Sequence, residues 1–344
     1  MRRLKRWMGP AIVIVVIAVF AVVLPRIADY GTVWRILTDV SPGWAAAIAA
    51  SVAVNILCFP PSWMAGMPGL GYGRAMVLTQ SSTAASIALP GGDVVGMGTQ
   101  FAMLRGWGFG SDRAGLAVLV TGIWNQLVRV AFPVIAVGAL AVVGDVTPQL
   151  RLAAALGAVA FAVILAGFIG LLARDDLAQR IGDLAARVAM WFMRLIRRPR
   201  RLVWGDDAVR FRDGCADLVR RRWPHLTIAT VVGHLTVFGV LMVTLRAVGV
   251  GADDAGLVEC FAAWSLIRLL TAVPITPGGL GVVELGLTGG LVAVGADQEA
   301  AVAGVLLFRA LTVLPVIIIG AVCFLLWRRT ASGARPAVDE GTVP

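Results

Sequence analysis

Charge is scarce in this sequence. Only 15% of its residues are Asp, Glu, Lys or Arg, against about a quarter in a typical soluble domain. Histidine is nearly absent: His225 and His234 are the two present, and neither sits in an HExxH-type cluster. Cysteine is limited to Cys58, Cys215, Cys260 and Cys323. These lie far apart, with no metal-ligand spacing and no disulfide framework. Three fall in or beside apolar segments, as small apolar side chains do. No glycine-rich phosphate loop, nucleophile elbow or zinc signature stands in a plausible context. The sequence therefore predicts no metal, no cofactor and no catalytic residue. Without an ATP-binding fingerprint, any energy coupling would come from ions, a partner or the lipid gradient itself.

Apolar residues fill the gap: 59% of the chain is hydrophobic and the mean hydropathy is +0.86. Runs of about 20 apolar residues, enough to cross a hydrocarbon core, recur along most of its length. A soluble enzyme is excluded by that pattern. The net charge of +10 does not point to nucleic acid, because the basic residues flank the apolar runs, where they set orientation and meet anionic headgroups.

The N-terminus reads Met1-Arg-Arg-Leu-Lys-Arg-Trp followed by an apolar stretch to Leu24. It resembles a signal peptide, but Pro25-Arg26-Ile27 follows and no small-x-small cleavage site stands out. An uncleaved first helix, about Trp7 to Leu24, is the expectation, with a cleaved signal as the alternative. Further segments follow at about Trp44–Met64 (broken near Pro60-Pro61), Ala75–Leu89, Val94–Leu104, Ala114–Val143, Leu152–Leu172, Leu226–Val250, Leu257–Val273, Val282–Val294 and Ala300–Trp327. The fold class predicted is an all-α polytopic membrane protein. It has about six full spans and two re-entrant Pro-Gly-Gly helical hairpins in an inverted repeat. Residues 1–330 form one transmembrane domain, and residues 331–344 form a disordered tail.

With the N-terminus in the cytoplasm, the cytoplasmic pieces hold 23 of the 30 Lys and Arg, 13 of them between residues 173 and 225. The short external loops at 144–150, 250–256 and 296–299 carry Asp145, Asp253, Asp254, Asp297 and Glu299 and no Lys or Arg. That is the positive-inside pattern, with both termini cytoplasmic. The basic 173–225 loop contains Leu177, Ile181, Leu184, Val188, Trp191 and Leu195 at alternating spacings of four and three, an amphipathic helix. It either lies on the cytoplasmic leaflet or packs on its own domain.

The two Pro-Gly-Gly sites anchor an internal repeat. At an offset of 187 residues, Pro90-Gly91-Gly92 matches Pro277-Gly278-Gly279, Leu104 matches Leu291, Gly108 matches Gly295, and Ala114 matches Ala301. Each site precedes a short return segment, a glycine-containing turn and a long span with a later proline, Pro133 or Pro315. Three full spans between the sites would invert the second copy. Proline removes a backbone donor and glycine releases helical geometry. Unwound backbone at membrane depth is tolerated only inside protein or beside water. The half-helices starting near Asp93 and Leu280 would aim unpaired N–H groups at such a cavity, which suits phosphate. The alternative is a pair of ordinary turns at helix ends. Gly92/Gly96 and Gly286/Gly290 read as close-packing surfaces rather than ligand contacts.

Charges inside spans are costly and face partners or water. Here they are Asp93, Arg129, Glu259, Arg268, Glu284 and Arg309. Arg246, near an external helix end, is expected to snorkel. Glu284 and Arg309 are expected to pair or to line the cavity together, and Arg268 to face an anionic headgroup. Asp93 is expected to N-cap its half-helix or join the site. Asn125 and Arg129 share a helix face, with Arg129 as a second phosphate contact. The substrate-binding candidates are thus Pro90, Gly91, Gly92, Asp93, Arg129, Arg268, Pro277, Gly278, Gly279, Glu284 and Arg309.

The stretch Pro274-Ile-Thr-Pro-Gly-Gly-Leu-Gly-Val-Val-Glu284, with Gly295 and Leu306-Leu307-Phe308-Arg309, resembles the transmembrane domain of lysylphosphatidylglycerol synthases. It is similar too to that domain's stand-alone relatives, the uncharacterised protein family 0104. Ser86-Ile-Ala-Leu-Pro-Gly-Gly92 and Leu104-Arg-Gly-Trp-Gly108 fit the first half, so the resemblance covers roughly residues 10–327. It implies a bacterial inner-membrane domain that, in the synthases, moves an aminoacylated lipid between leaflets. Those synthases carry a separate soluble transferase domain, which this chain is not expected to contain, so lipid synthesis is not implied. In some relatives the domain accompanies polyprenyl-linked glycan chemistry, which leaves the lipid open. Three readings stand: a lipid flippase or scramblase, a membrane enzyme acting on a lipid-linked sugar, and a scaffold. The expected partners are membrane lipids and a lipid-synthesis enzyme docked at the basic loop, and not nucleic acid.

Overall fold

The computed structural model describes residues 38–89, 92–143, 148–173, 205–270, 279 and 281–331. Every regular element among them is helical. The first apolar run at Trp7–Leu24, the amphipathic stretch Leu177–Leu195, Pro90, Gly91, Pro277, Gly278 and the tail from 332 onward lie outside the described residues.

Among the described residues these helices follow in chain order: α1 (Pro42–Cys58), α2 (Pro60–Gly66), α3 (Tyr72–Ala88), α4 (Gly92–Gly106), α5 (Ser111–Val143), α6 (Pro148–Ala173), α7 (Gly205–Ala247), α8 (Leu257–Leu270), α9 (Val282–Ala293) and α10 (Gln298–Ala331). Local chemistry sets their ends. Ser41 caps α1, its hydroxyl taking the Trp44 N–H, with Pro42 in the first turn. Pro60 and Pro61 open α2, because proline suits a first turn and breaks an interior one. Among the described residues, four helices are long and apolar enough to cross a membrane: Pro42–Gly66, Ser111–Leu140, Phe211–Ala247 and Gln298–Arg329.

α3 is shorter, at 17 residues, and polar on its buried side. Thr79, Gln80, Ser81 and Ser82 are all buried, so this helix turns polar side chains inward among other helices. Its partner is α10. A side chain at Gly320 would strike the Gln80 carbonyl and the Ala84 methyl, and the Ser81 hydroxyl donates to the Gly320 carbonyl at 3.4 Å. Small residues allow that approach. Among the glycines expected to pack closely, Gly96 meets Ser86 and the Ser82 carbonyl, and Gly290 lies 3.1 Å from Ala263 Cβ, measured from an added Cβ. Gly92 meets nothing within 4 Å.

The 187-residue offset reappears in helix bounds and helix ends. Shifted by that amount, α5 becomes 298–330 and α4 ends at Ala293, coinciding with α10 and with the end of α9. After α4, the Phe109 N–H donates to the Leu104 carbonyl at 3.2 Å; after α9, the Ala296 N–H donates to the Leu291 carbonyl at 3.0 Å. Each closure uses a left-handed glycine, Gly108 (φ 89°) or Gly295 (φ 113°). Leu104, Leu291, Ala114 and Ala301 are each fully buried. Packing crosses between the halves: α5 lies against α8, and α10 against α3.

Helix α7 begins well before the expected Leu226. It runs from Gly205 through Pro224, so the end of the basic segment read as loop is helix. Phe211, Cys215, Leu218 and Val219 recur at helical spacing and pack with Ala65, Leu116 and Trp124. That stripe extends the helix beyond its apolar run. At the far end of α7, Arg246 extends toward the helix end, the direction expected of it. Its guanidinium reaches the Val250, Gly251 and Ala255 carbonyls at 2.7, 2.6 and 2.9 Å. Carbonyls left open at a helix end attract a cation more strongly than solvent alone does.

Candidate functional site

The backbone at both predicted breaks leaves helical geometry. Gly92 has φ 48°, Gly279 φ 68° and Gly281 φ 82°, values that side chains with a Cβ rarely adopt. Short helix α4 begins at Gly92 and α9 just after Gly281, placing Asp93 and Glu284 in their first turns. Carboxylates there complement the exposed N–H groups. Asp93 lies one residue inside α4, and its carboxylate pairs with Arg129 instead of serving as the residue before the helix.

Each acid meets an arginine from a long helix. Glu284 Oε1 takes the Arg309 Nε–H at 2.7 Å, while Oε2 takes the Gly281 N–H at 2.6 Å. Both side chains are largely buried, at 9% and 16% exposure, so the expected pair forms. Asp93 Oδ2 accepts from Arg129 at 3.4 Å, a longer bond on a side chain that is 60% exposed. Arg129 also donates to Gln126 at 3.1 Å, and its buried Nε finds no acceptor among the described residues.

Arg268 lies within electrostatic reach of both pairs. The charges of Arg129, Arg309 and Asp93 all reach it, so guanidiniums from α5, α8 and α10 share one region with the start of α4. Its plane lies 5.5 Å from the centre of the Trp264 ring. Trp264 belongs to an aromatic block with Phe132, Phe238 and Phe261, which walls the charges off on one side.

His234 is the participant that sequence reasoning missed. It is 1% exposed, and its ring stands edge-on to Phe59 and Phe132 at 5.6 and 6.0 Å. Nδ1 lies 2.9 Å from an Arg268 Nη, and Nε2 lies 3.2 Å from Asn125 Oδ1. Asn125 Nδ2 donates to the Thr121 carbonyl at 2.9 Å, which fixes its oxygen toward the histidine. A clue existed in the sequence, since an imidazole inside an apolar helix needs buried partners. Those partners come from α5 and α8, far from α7 along the chain.

Asp93, Arg129, Arg268, Glu284 and Arg309 are thus brought into one region, joined by Asn125 and His234. Of the glycine candidates, Gly92 and Gly279 mark the two breaks. Glu259 lies in the first turn of α8, at the opposite end of that helix from Arg268. Among the described residues no group of three His, Cys, Asp or Glu is placed to hold a metal. All four cysteines are free.

Comparison with known proteins gives one family. The sequence model described as the lysylphosphatidylglycerol synthase TM region matches residues 9–320. No curated protein matches the chain.

Proposed function

The chain belongs to the lysylphosphatidylglycerol synthase TM region family, and from that premise we propose that it moves an anionic or lipid-linked headgroup between the leaflets of a bacterial inner membrane. The observation that carries this reading is the charge balance around three largely buried arginines. Arg129, Arg268 and Arg309 face two carboxylates, Asp93 and Glu284, among the described residues. Such an excess of positive charge at membrane depth is costly unless an anion joins it. A phosphate suits it, because guanidiniums and helix N-termini both present N–H donors to phosphate oxygens. The buried Arg129 Nε supplies a further donor for a ligand oxygen.

The helix breaks supply a route. In this reading the shared bounds, matching helix ends and crossed packing of α5 on α8 and α10 on α3 are those of an inverted repeat, with each broken helix pair a re-entrant hairpin. Acyl tails remain in lipid while the headgroup passes the junction of the two halves. Both termini face the cytoplasm, and a lipid-synthesis enzyme docks at the basic segment before α7. The membrane-enzyme alternative gains little from Glu284. Both of its oxygens are already occupied, and a general base must reach a reacting proton.

The test is translocation of headgroup-labelled phosphatidylglycerol in proteoliposomes, read by quenching from one side. The expected result is protein-dependent exchange that slows at least tenfold in Arg129→Gln and Arg268→Gln. Exchange no faster than in empty vesicles overturns the reading.

A further inference from the structure

The hydrogen bonds around His234 fix its protonation state. Arginine only donates, so the bond from Arg268 at 2.9 Å requires a bare Nδ1. The proton then sits on Nε2, which donates to Asn125 Oδ1 at 3.2 Å. Asn125 cannot reverse, because its amide nitrogen is committed to the Thr121 carbonyl. Donors therefore run one way, from Arg268 to His234 to Asn125 to Thr121, and the imidazole is neutral while that chain holds. The groups that touch His234 are Asn125 and Phe132 on α5, Arg268 on α8, and Phe59 between α1 and α2. The charges that act on it are those of Arg268 and Arg129, both positive.

We propose that His234 is a proton-binding site coupled to the headgroup site, with proton occupancy and the seated position of Arg268 mutually exclusive. This rests on the lipid-carrier reading for its physiological meaning, but not for its chemistry. A hydronium ion gives its proton to Nδ1, leaving water and an imidazolium. Nδ1–H then opposes an arginine N–H, two donors and two positive charges in a space sized for one hydrogen bond. Arg268 must leave His234, and the anion loses that guanidinium's oriented N–H donors, a loss that in this proposal outweighs the added attraction of the imidazolium. Deprotonation restores the acceptor and re-seats Arg268. The headgroup is released where the cavity meets the more acidic solution and captured where it meets the more alkaline one. A proton gradient thus drives lipid toward the acidic leaflet, with protons moving the opposite way.

Two features of the molecule make this testable without transport. It contains only two histidines, so a ¹⁵N-histidine spectrum in nanodiscs has two imidazoles, separated by a His225→Gln variant. Linkage is reciprocal: a tenfold loss of headgroup binding on protonation equals a drop of about one unit in the His234 midpoint when headgroup is bound. Spectra taken from about pH 8 to about pH 5, in phosphatidylcholine with and without phosphatidylglycerol, are expected to show the Nε2–H tautomer first. The anionic lipid should then lower the midpoint for imidazolium. A His234 that stays neutral throughout, or a midpoint unmoved or raised by phosphatidylglycerol, overturns the proposal.

The second arm uses His234→Asn, which offers Arg268 a carbonyl oxygen near the position of Nδ1 but cannot take a proton. In proteoliposomes bearing a pH gradient, wild type should drive labelled phosphatidylglycerol toward the acidic side, and any exchange by His234→Asn, whatever its rate, should be equal in both directions. Equal gradient dependence in both proteins overturns the coupling. If wild type moves no lipid at any pH, the carrier reading fails, and the imidazole spectra still decide the proton site.

Discussion

Glu284 divides its carboxylate between two structures: one oxygen holds Arg309 on α10 at 2.7 Å, and the other holds the Gly281 N–H at 2.6 Å. The side chain thereby ties the second helix break to the last long helix. Removing one member of a buried pair costs about 3 to 5 kcal/mol, because the other charge is left without compensation. Thermal unfolding in detergent should show Glu284→Ala and Arg309→Leu each strongly destabilised. The double variant should lose at least about 1 kcal/mol less than the sum of the two.

The α3–α10 crossing depends on the missing side chain of Gly320. A Gly320→Val chain must push the Gln80 carbonyl and Ala84 aside, and overpacking of this kind costs about 1 to 3 kcal/mol. A lower melting temperature and a broadened size-exclusion profile are expected. A Gly239→Ala control, where nothing lies within 4 Å, should behave as wild type.

Arg268 is both stacked on Trp264 and bonded to His234. Lysine keeps the charge but not the planar fork that meets two partners at once. Native mass spectrometry should find retention of phosphatidylglycerol by Arg268→Lys reduced about tenfold, with the fold intact. Unchanged retention would place the anion elsewhere.

Arg246 closes the turn after α7 through three carbonyls. Hydrogen bonds to a charged group contribute about 1.5 to 3 kcal/mol. Arg246→Ala should raise amide hydrogen exchange in residues 248–256 while lipid translocation stays near the wild-type rate. A variant that slows translocation without loosening the turn would contradict this.

Orientation has its own check. The loop at 250–256 carries Asp253 and Asp254 and no basic residue, for which the positive-inside rule predicts an external position. In a background lacking the four native cysteines, Asp253→Cys should react with an impermeant maleimide added to whole cells. Reaction only after the membrane is opened would invert the topology.

Local features of the site were legible in the sequence because their causes are local. Pro-Gly-Gly stops a helix wherever it stands, and Glu284 and Arg309 are only 25 residues apart with one turn between their helices. The 187-residue offset was legible because Leu104, Gly108 and Ala114 recur at one spacing, and their counterparts Leu291, Gly295 and Ala301 stand at matching helix ends and buried positions. The start of α7 was not legible. Its first half is held by a thin apolar stripe within a basic segment, and charge hid the helical period.

Hydropathy and breakers by themselves determined that this chain is a membrane protein of helices, where two of those helices are interrupted, and which charges must be accommodated. Each of these follows from the cost of placing a residue type in lipid or in a helix, whatever its distant neighbours. Tertiary structure alone decided which charges meet. His234 gains its meaning from Arg268 and Asn125, 34 and 109 residues away, and that meeting depends on how α5, α7 and α8 pack. Hydrogen bonds only a few ångströms long are set by those helix contacts, and no property of the three residues taken singly specifies them.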